Sequence, residues 1–245
     1  MPTKKALRKK KELDVTIEYG ESMRKNSDCA SIKLHKPLPP TDNQQKFYWS
    51  TQRTETNMAF VDGPAGSAKT YWAVYGALEL LRDRHIDSII YIRSVVESSS
   101  KSMGFLKGDE HEKFMPYMMP MLDKLNECLP PSDVTTLLGN EYVKATPVNF
   151  VRGLTFHRCA VIVDEAQNMT KSELTTILTR FGRNSKYFIL GDSDQQDIKD
   201  SGFEHVFDKF DTDFSRKNDI LCYKFDHSDI VRSEILKHIT QVLGV

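Results

Sequence analysis

The sequence predicts an α/β protein with a mostly parallel sheet covered by helices on both faces. Three observations carry that expectation. Apolar runs of strand length alternate with helical patterns, as crossover-built parallel sheets require. Cys159-Ala160-Val161-Ile162-Val163 is apolar without a break, as in a strand buried on both faces. Met58-Ala59-Phe60-Val61 passes through a glycine-rich turn into a long helical pattern, Tyr71 to Arg84, a strand–turn–helix layout that cradles phosphate.

Taken in order, residues 1–40 read as a basic, partly flexible extension and 41–245 as the globular domain. A length of 245 residues suits one α/β domain with a short extension, or at most two small domains. Lys4, Lys5, Arg8, Lys9, Lys10 and Lys11 crowd the start. Such a run is a solvated tail or an arm for a phosphate backbone. Pro37, Pro39 and Pro40 mark the boundary. Thr41 or Asp42 can cap a short helix ahead of the first strand. Ser88–Ile92 is a β-branched strand ending at Arg93, followed by a polar loop to Lys101 and by Gly104-Phe105-Leu106-Lys107-Gly108. Helical spacing resumes near Glu110, with Phe114, Met118, Met121, Leu122 and Leu125 on one face, a core stripe. Pro130 and Pro131 close that segment, and a short strand lies near Tyr142–Ala145. After the Cys159 strand, Lys171 to Phe181 reads as a helix capped by Thr170 with Glu173 three residues on. Tyr187–Leu190 and Ile220–Phe225 are further strands, and Asp229–Val242 a final helix. There is no internal repeat.

Composition narrows the classes. The chain is 39% hydrophobic and 28% charged with zero formal net charge. No global field draws it to nucleic acid, so such binding must use a local patch. Cys29, Cys128, Cys159 and Cys222 are scattered, without a CxxC pair or metal-ligand spacing, as reduced intracellular thiols are. No apolar run approaches membrane-spanning length. A soluble, cytoplasmic protein with no membrane partner is expected.

The chemistry begins at Gly63-Pro64-Ala65-Gly66-Ser67-Ala68-Lys69-Thr70. Small residues let backbone N–H groups turn inward around phosphate oxygens, and the following helix adds its N-terminal dipole. Lys69 can reach the β- and γ-phosphates of ATP, and Thr70 can offer its hydroxyl to Mg²⁺. Ala68 stands where Gly is usual; if the position needs φ > 0, Ala costs about 1 kcal/mol. Val163-Asp164-Glu165 brings two acids to a strand's C-terminal end, the edge where α/β sheets bind ligands. Asp164 would hold Mg²⁺ and Glu165 would polarise the attacking water. A third strand leads to Gly191-Asp192-Ser193-Asp194-Gln195. Gln195 is placed to sense the γ-phosphate, while Asp192 and Asp194 shape the turn. Gln44 or Gln45 could grip an adenine edge; Gln45 is taken as the candidate.

These stretches resemble the PhoH family of P-loop ATPases. The matching residues are Gly63–Thr70, Arg93 with Val96-Glu97, Gly104-Phe105-Leu106 with Gly108, Arg152-Gly153 with Thr155, Asp164-Glu165-Ala166-Gln167-Asn168, Leu178-Thr179-Arg180, Asn184-Ser185-Lys186, Gly191-Asp192, Gln195, and His227-Ser228-Asp229 with Val231-Arg232. They span about residues 55 to 240. Ala68, and Ser94 where Pro is usual, depart from the pattern, and the short chain is similar to phage-encoded members. The resemblance implies a RecA-like fold with the strand leading to Gln195 between those of Gly63 and Asp164. It also implies RNA or single-stranded DNA as second ligand, as in helicase-like motors. One motor domain needs an arginine from outside, worth about 10³–10⁵ in rate. A neighbouring subunit of a homo-oligomeric ring, a hexamer, would supply it; Arg180, Arg183 and Arg232 are candidates. Arg93 and Lys101 could contact nucleic-acid phosphates, and Phe105 could stack on a base or pack under its loop. The competing expectation is a nucleotide-binding regulatory module with little turnover. A kinase is disfavoured, because Glu165 suits water as the nucleophile.

Overall fold

A computed structural model describes residues 18–19, 29, 31–94 and 110–231, together with Ile235, His238, Ile239 and Val242. In chain order the elements are β1 (Glu18–Tyr19), α1 (Asp42–Gln52), β2 (Met58–Asp62), α2 (Lys69–Arg82), β3 (Ser88–Arg93) and α3 (Glu110–Cys128). Then come α4 (Pro131–Gly139), β4 (Val143–Pro147), β5 (Thr155–Phe156), β6 (Cys159–Asp164), α5 (Lys171–Leu178), β7 (Lys186–Gly191), α6 (Phe203–Phe210), α7 (Asp213–Lys217) and β8 (Ile220–Lys224).

Six strands form one sheet in the order β4-β3-β6-β7-β2-β8, and every pairing in it is parallel. The expected α/β class is borne out, as is the place of β7 between β2 and β6. All strands therefore point their C-terminal ends, with Asp62, Asp164 and Gly191, to one edge. The period-two alternation of each strand sorts its side chains between two cores. Ala59, Val61, Ile89, Tyr91, Ala160 and Ile162 face the layer of α1, α2 and α3. Phe60, Ile90, Ile92, Val161 and Val163 face that of α5 and α6. Such two-sided burial is why β6 and β7 carry no exposed residue. Met121 and Leu125 are buried and Met118 and Leu122 pack against them, so these members of the α3 stripe are core; the Phe114 side chain lies outside the described residues.

Several boundaries shift for local reasons. Thr41 caps α1, and Thr170 caps α5, each with a full capping box. The Met-rich helix α3 ends at Cys128, just ahead of Pro130 and Pro131 as expected, and Pro131 also opens α4, at the position where its missing N–H costs nothing. The helix from Lys171 ends at Leu178, because Phe181 leaves it to bridge Phe156. The helices α6 and α7 went unassigned from sequence. The C-terminal stretch opens as a short 3-10 turn, His227–Asp229. Residues of the extension join the domain. Cys29 and Ile32 are buried in the core, and the His35 N–H donates to Cys128 O at 2.8 Å. Strand β1 pairs with β5. No helix among the described residues is long and apolar enough to cross a membrane.

One buried cation makes stability pH-dependent. Lys186 is 8% exposed and its ammonium donates to Thr56 O at 2.9 Å and to Arg53 O. Burial pushes its pKa from 10.5 down to about 8, with Glu55 pulling the other way. Between those values the unfolded chain binds more protons, so stability should rise with pH from about 8 to 10. The slope is at most about 1.4 kcal/mol per unit. Urea midpoints of wild type should climb across that window, and Lys186→Met should remove this component.

Candidate functional site

The phosphate loop leaves β2 under tight constraint. The Gly63 N–H donates to Gly191 O at 3.2 Å, and a Cβ at Gly63 would sit 2.6 Å from Phe225 Cβ. Only glycine lets the loop pass there. Gly66 has φ +83°. Ala68 has φ 60° and ψ 23°, so the position does need a left-handed backbone, which costs Ala about 1–2 kcal/mol. Glycine loses about 0.5–1 kcal/mol of that gain to its freer unfolded chain. Ala68→Gly should therefore stabilise the protein by about 0.5–1 kcal/mol, read as a raised urea midpoint.

Lys69 opens α2 and donates its ammonium to Pro64 O at 3.0 Å and to Gly63 O. Burial pushes its pKa down, against the pull of Asp192, Asp164, Glu165 and Asp62. Thr70 Oγ1 donates to Asp164 Oδ1 at 3.0 Å. The other oxygen of Asp164 accepts the Tyr91 hydroxyl at 2.6 Å. Tyr91 is buried, and burial together with the Asp164 charge drives its pKa well above the usual phenol value. Tyr91 on β3 thus aims the Asp164 carboxylate at the loop.

Glu165 turns the chain with φ 54°. Its carboxylate accepts from Gln167 Nε2 at 2.7 Å and pairs with Arg93 at 3.4 Å. Gln167 Oε1 also accepts the Asp192 N–H at 3.1 Å, so one amide ties β6 to β7. Asp192 does more than shape its turn. It is 5% exposed, Oδ1 accepts the Asp194 N–H at 3.2 Å, and Oδ2 is buried without a hydrogen-bond partner. Burial pushes its pKa up, partly offset by Lys69. Asp62 holds the next residue, Ser193, through its N–H at 2.9 Å and hydroxyl at 2.7 Å. Asn168 and Asp197 exchange bonds at 2.9 Å, fixing the loop that carries Gln195.

A cleft of about 470 Å³ results, lined by Ala65 to Tyr71, Asp164, Glu165, Gln167, Asp192 and Gln195, with Leu38 and Val231 among its rim residues. The structure thus brings Lys69, Thr70, Asp164, Glu165 and Gln195 into one space, with Gly63 and Pro64 beneath. Of the two glutamines, Gln44 and not Gln45 reaches the loop; Gln45 is absent from the cleft lining. Arg93, expected as a solvent-facing or phosphate-binding charge, is half-buried and pairs with Glu165 at 3.4 Å. Arg180 and Arg183 sit at the opposite edge of the sheet, bonded through their carbonyls to Phe156 and Arg158 just before β6. A six-residue strand separates that edge from Asp164 by about 20 Å. In this chain they cannot reach its own cleft. Arg232, Lys101 and Phe105 lie outside the described residues. Sequence reasoning missed Tyr91, Asp62, Gln167 and Asp192. Their roles depend on which strands neighbour β6 and β2; Gln167 and Asp192 stood in the stretches that carry the family resemblance, but nothing local assigned them these bonds.

A parallel sheet delivering a glycine-rich loop and a strand-end acid to one edge fits the P-loop NTPase class. The chain belongs to the PhoH family: the family model described as PhoH-like protein matches residues 37–244. A PhoH-like protein of Bacillus subtilis (strain 168) is 33% identical, over 92% of this chain and 69% of its own length. A PhoH-like protein of Synechocystis is 35% identical over 64% of this chain and 47% of that protein. Protein PhoH of Escherichia coli (strain K12) is 32% identical over 79% and 54% respectively. The chain spans about half the length of these last two.

Proposed function

We propose that this chain hydrolyses ATP with magnesium, coupled to RNA or single-stranded DNA, in a ring whose neighbouring subunit completes the site. The observation that carries the reading is the 3.0 Å contact of Thr70 Oγ1 with Asp164 Oδ1, beside Lys69, Glu165 and Gln195 in one cleft. The residues fit magnesium. The buried Asp192 oxygen lacks a partner, and four carboxylates surround Lys69. A bare polyphosphate would meet a surplus of negative charge there. Among the described residues no three His, Cys, Asp or Glu converge into a protein cage, and magnesium is commonly held by one or two carboxylates plus substrate phosphates.

Thr70 and Asp164 would hold the ion, whose contribution is to neutralise charge on the phosphates. The loop N–H groups and Lys69 bind and orient the triphosphate. Glu165 accepts the proton of the attacking water, and Gln195 orients that water or the γ-phosphate. A groove of about 690 Å³ supports a polyanion as second ligand: its lining residues, Arg152, Gly153, Lys171, Ser172, Thr175, Thr176, Thr179 and Arg180, include three cations and no acid. The far edge position of Arg180 suits action on a neighbour's nucleotide. A second reading, a regulatory module with little turnover, draws support from the Arg93 and Gln167 bonds that occupy Glu165.

Phosphate release from ATP, with magnesium or with EDTA, at several protein concentrations and with light scattering, tests both. The expected result is magnesium-dependent turnover that rises as assemblies form and with added single strands. Turnover by a monomer at a concentration-independent rate would remove the arginine in trans. Binding without phosphate release would select the regulatory module.

A further inference from the structure

The rim of the cleft has little with which to read a nucleobase. Gln44 is fully buried and its amide is fully engaged. Nε2 donates to Ser67 O at 3.0 Å and to Asp229 O at 2.7 Å. Oε1 accepts from Trp72 Nε1 at 3.2 Å and from the Thr41 N–H at 3.0 Å. Two donors and two acceptor sites are all an amide has. Gln44 therefore clamps the phosphate loop to the Asp229 turn and has nothing left for a ligand.

The backbone beside the cleft is equally poor in donors. Pro37, Pro39 and Pro40 have no N–H, and the Leu38 N–H is committed to the Tyr71 hydroxyl at 3.1 Å. Lys124 and Glu127 also line the cleft, but they pair with each other, and what else the described rim presents is apolar. Leu38 is 44% exposed and Val231 40%, and both line the cleft. The Val231 N–H donates to Gly66 O at 3.3 Å, so its position is tied to the phosphate loop.

We infer that the cleft accepts nucleoside triphosphates as a class, ATP, GTP, CTP and UTP alike. The triphosphate is held by the loop, and the base rests on Leu38 and Val231 without its edge being read. This rests on the proposed reading of the cleft as a nucleotide site. Magnitudes separate the alternatives. A site built to hydrogen-bond its ligand rejects an analogue by about 10⁴–10⁵, whereas apolar contact discriminates by only about 10–200-fold.

The test is kcat/KM for the four triphosphates with the full chain, alongside affinities for their non-hydrolysable imido analogues. All four should fall within about two-hundredfold of one another. Leu38→Ala and Val231→Ala should weaken all four by the same factor and leave their order unchanged. Preference for any one triphosphate beyond about two-hundredfold would overturn the inference while keeping the nucleotide site. A rank order altered by Leu38→Ala would overturn it too. Failure to bind any of the four would sink the nucleotide reading beneath it.

Discussion

Glu165→Gln should lower ATP turnover by about 10²–10⁴-fold while nucleotide affinity stays within a few-fold of wild type. The substitution keeps the shape of the side chain and one acceptor oxygen. It removes the carboxylate that would take a proton from water, and with it the ion pair to Arg93. None of the loop contacts that would hold the triphosphate involves Glu165, so binding should survive. Phosphate release and a fluorescent-nucleotide titration on one preparation separate the two effects. Wild-type turnover in the variant would end the assignment of Glu165 as the base.

Lys69→Met should cost ATP about 10- to 150-fold in affinity, with a small change in fold stability. The ammonium is the one cation that the loop itself would bring to bound phosphates, and a hydrogen bond to a charged group is worth about 1.5–3 kcal/mol. Burial works against that charge in the protein alone, as the downward push on its pKa records. A methionine of similar length removes that cost and keeps the packing, while it takes a donor from Gly63 O and Pro64 O and the offsetting charge from Asp192. Nucleotide titration and a urea midpoint read the two halves of the prediction. Undiminished affinity would mean that the loop does not bind phosphate through Lys69.

Much of the fold was legible because its signals are local. The β-branched run at Ser88–Ile92 and the apolar run at Cys159–Val163 announce buried strands. The capping boxes at Thr41 and Thr170 need only four residues each. The glycine-rich loop and Asp164-Glu165 could be read because each is contiguous. What stayed hidden depends on partners distant in sequence. Gln44 looked like a free amide beside the loop, and nothing nearby tells that Trp72 and Asp229 saturate it. Asp192 looked like a turn residue, because its burial follows from β7 lying between β2 and β6. Pro131 read as a stop because proline ends one helix and begins another with the same geometry.

The clamp through Gln44 has a consequence for how the protein is made. Thr41 and Asn43 donate to the carboxylate of Asp229, across 188 positions for the first pair, and Val231 grips Gly66. During synthesis the strands of the sheet have all emerged before Asp229 and Val231 do. Domains tend to organise as the chain appears, and contacts between distant segments come late. A nascent chain can therefore build its sheet first, and the phosphate loop gains its final shape only when the 226–231 turn arrives.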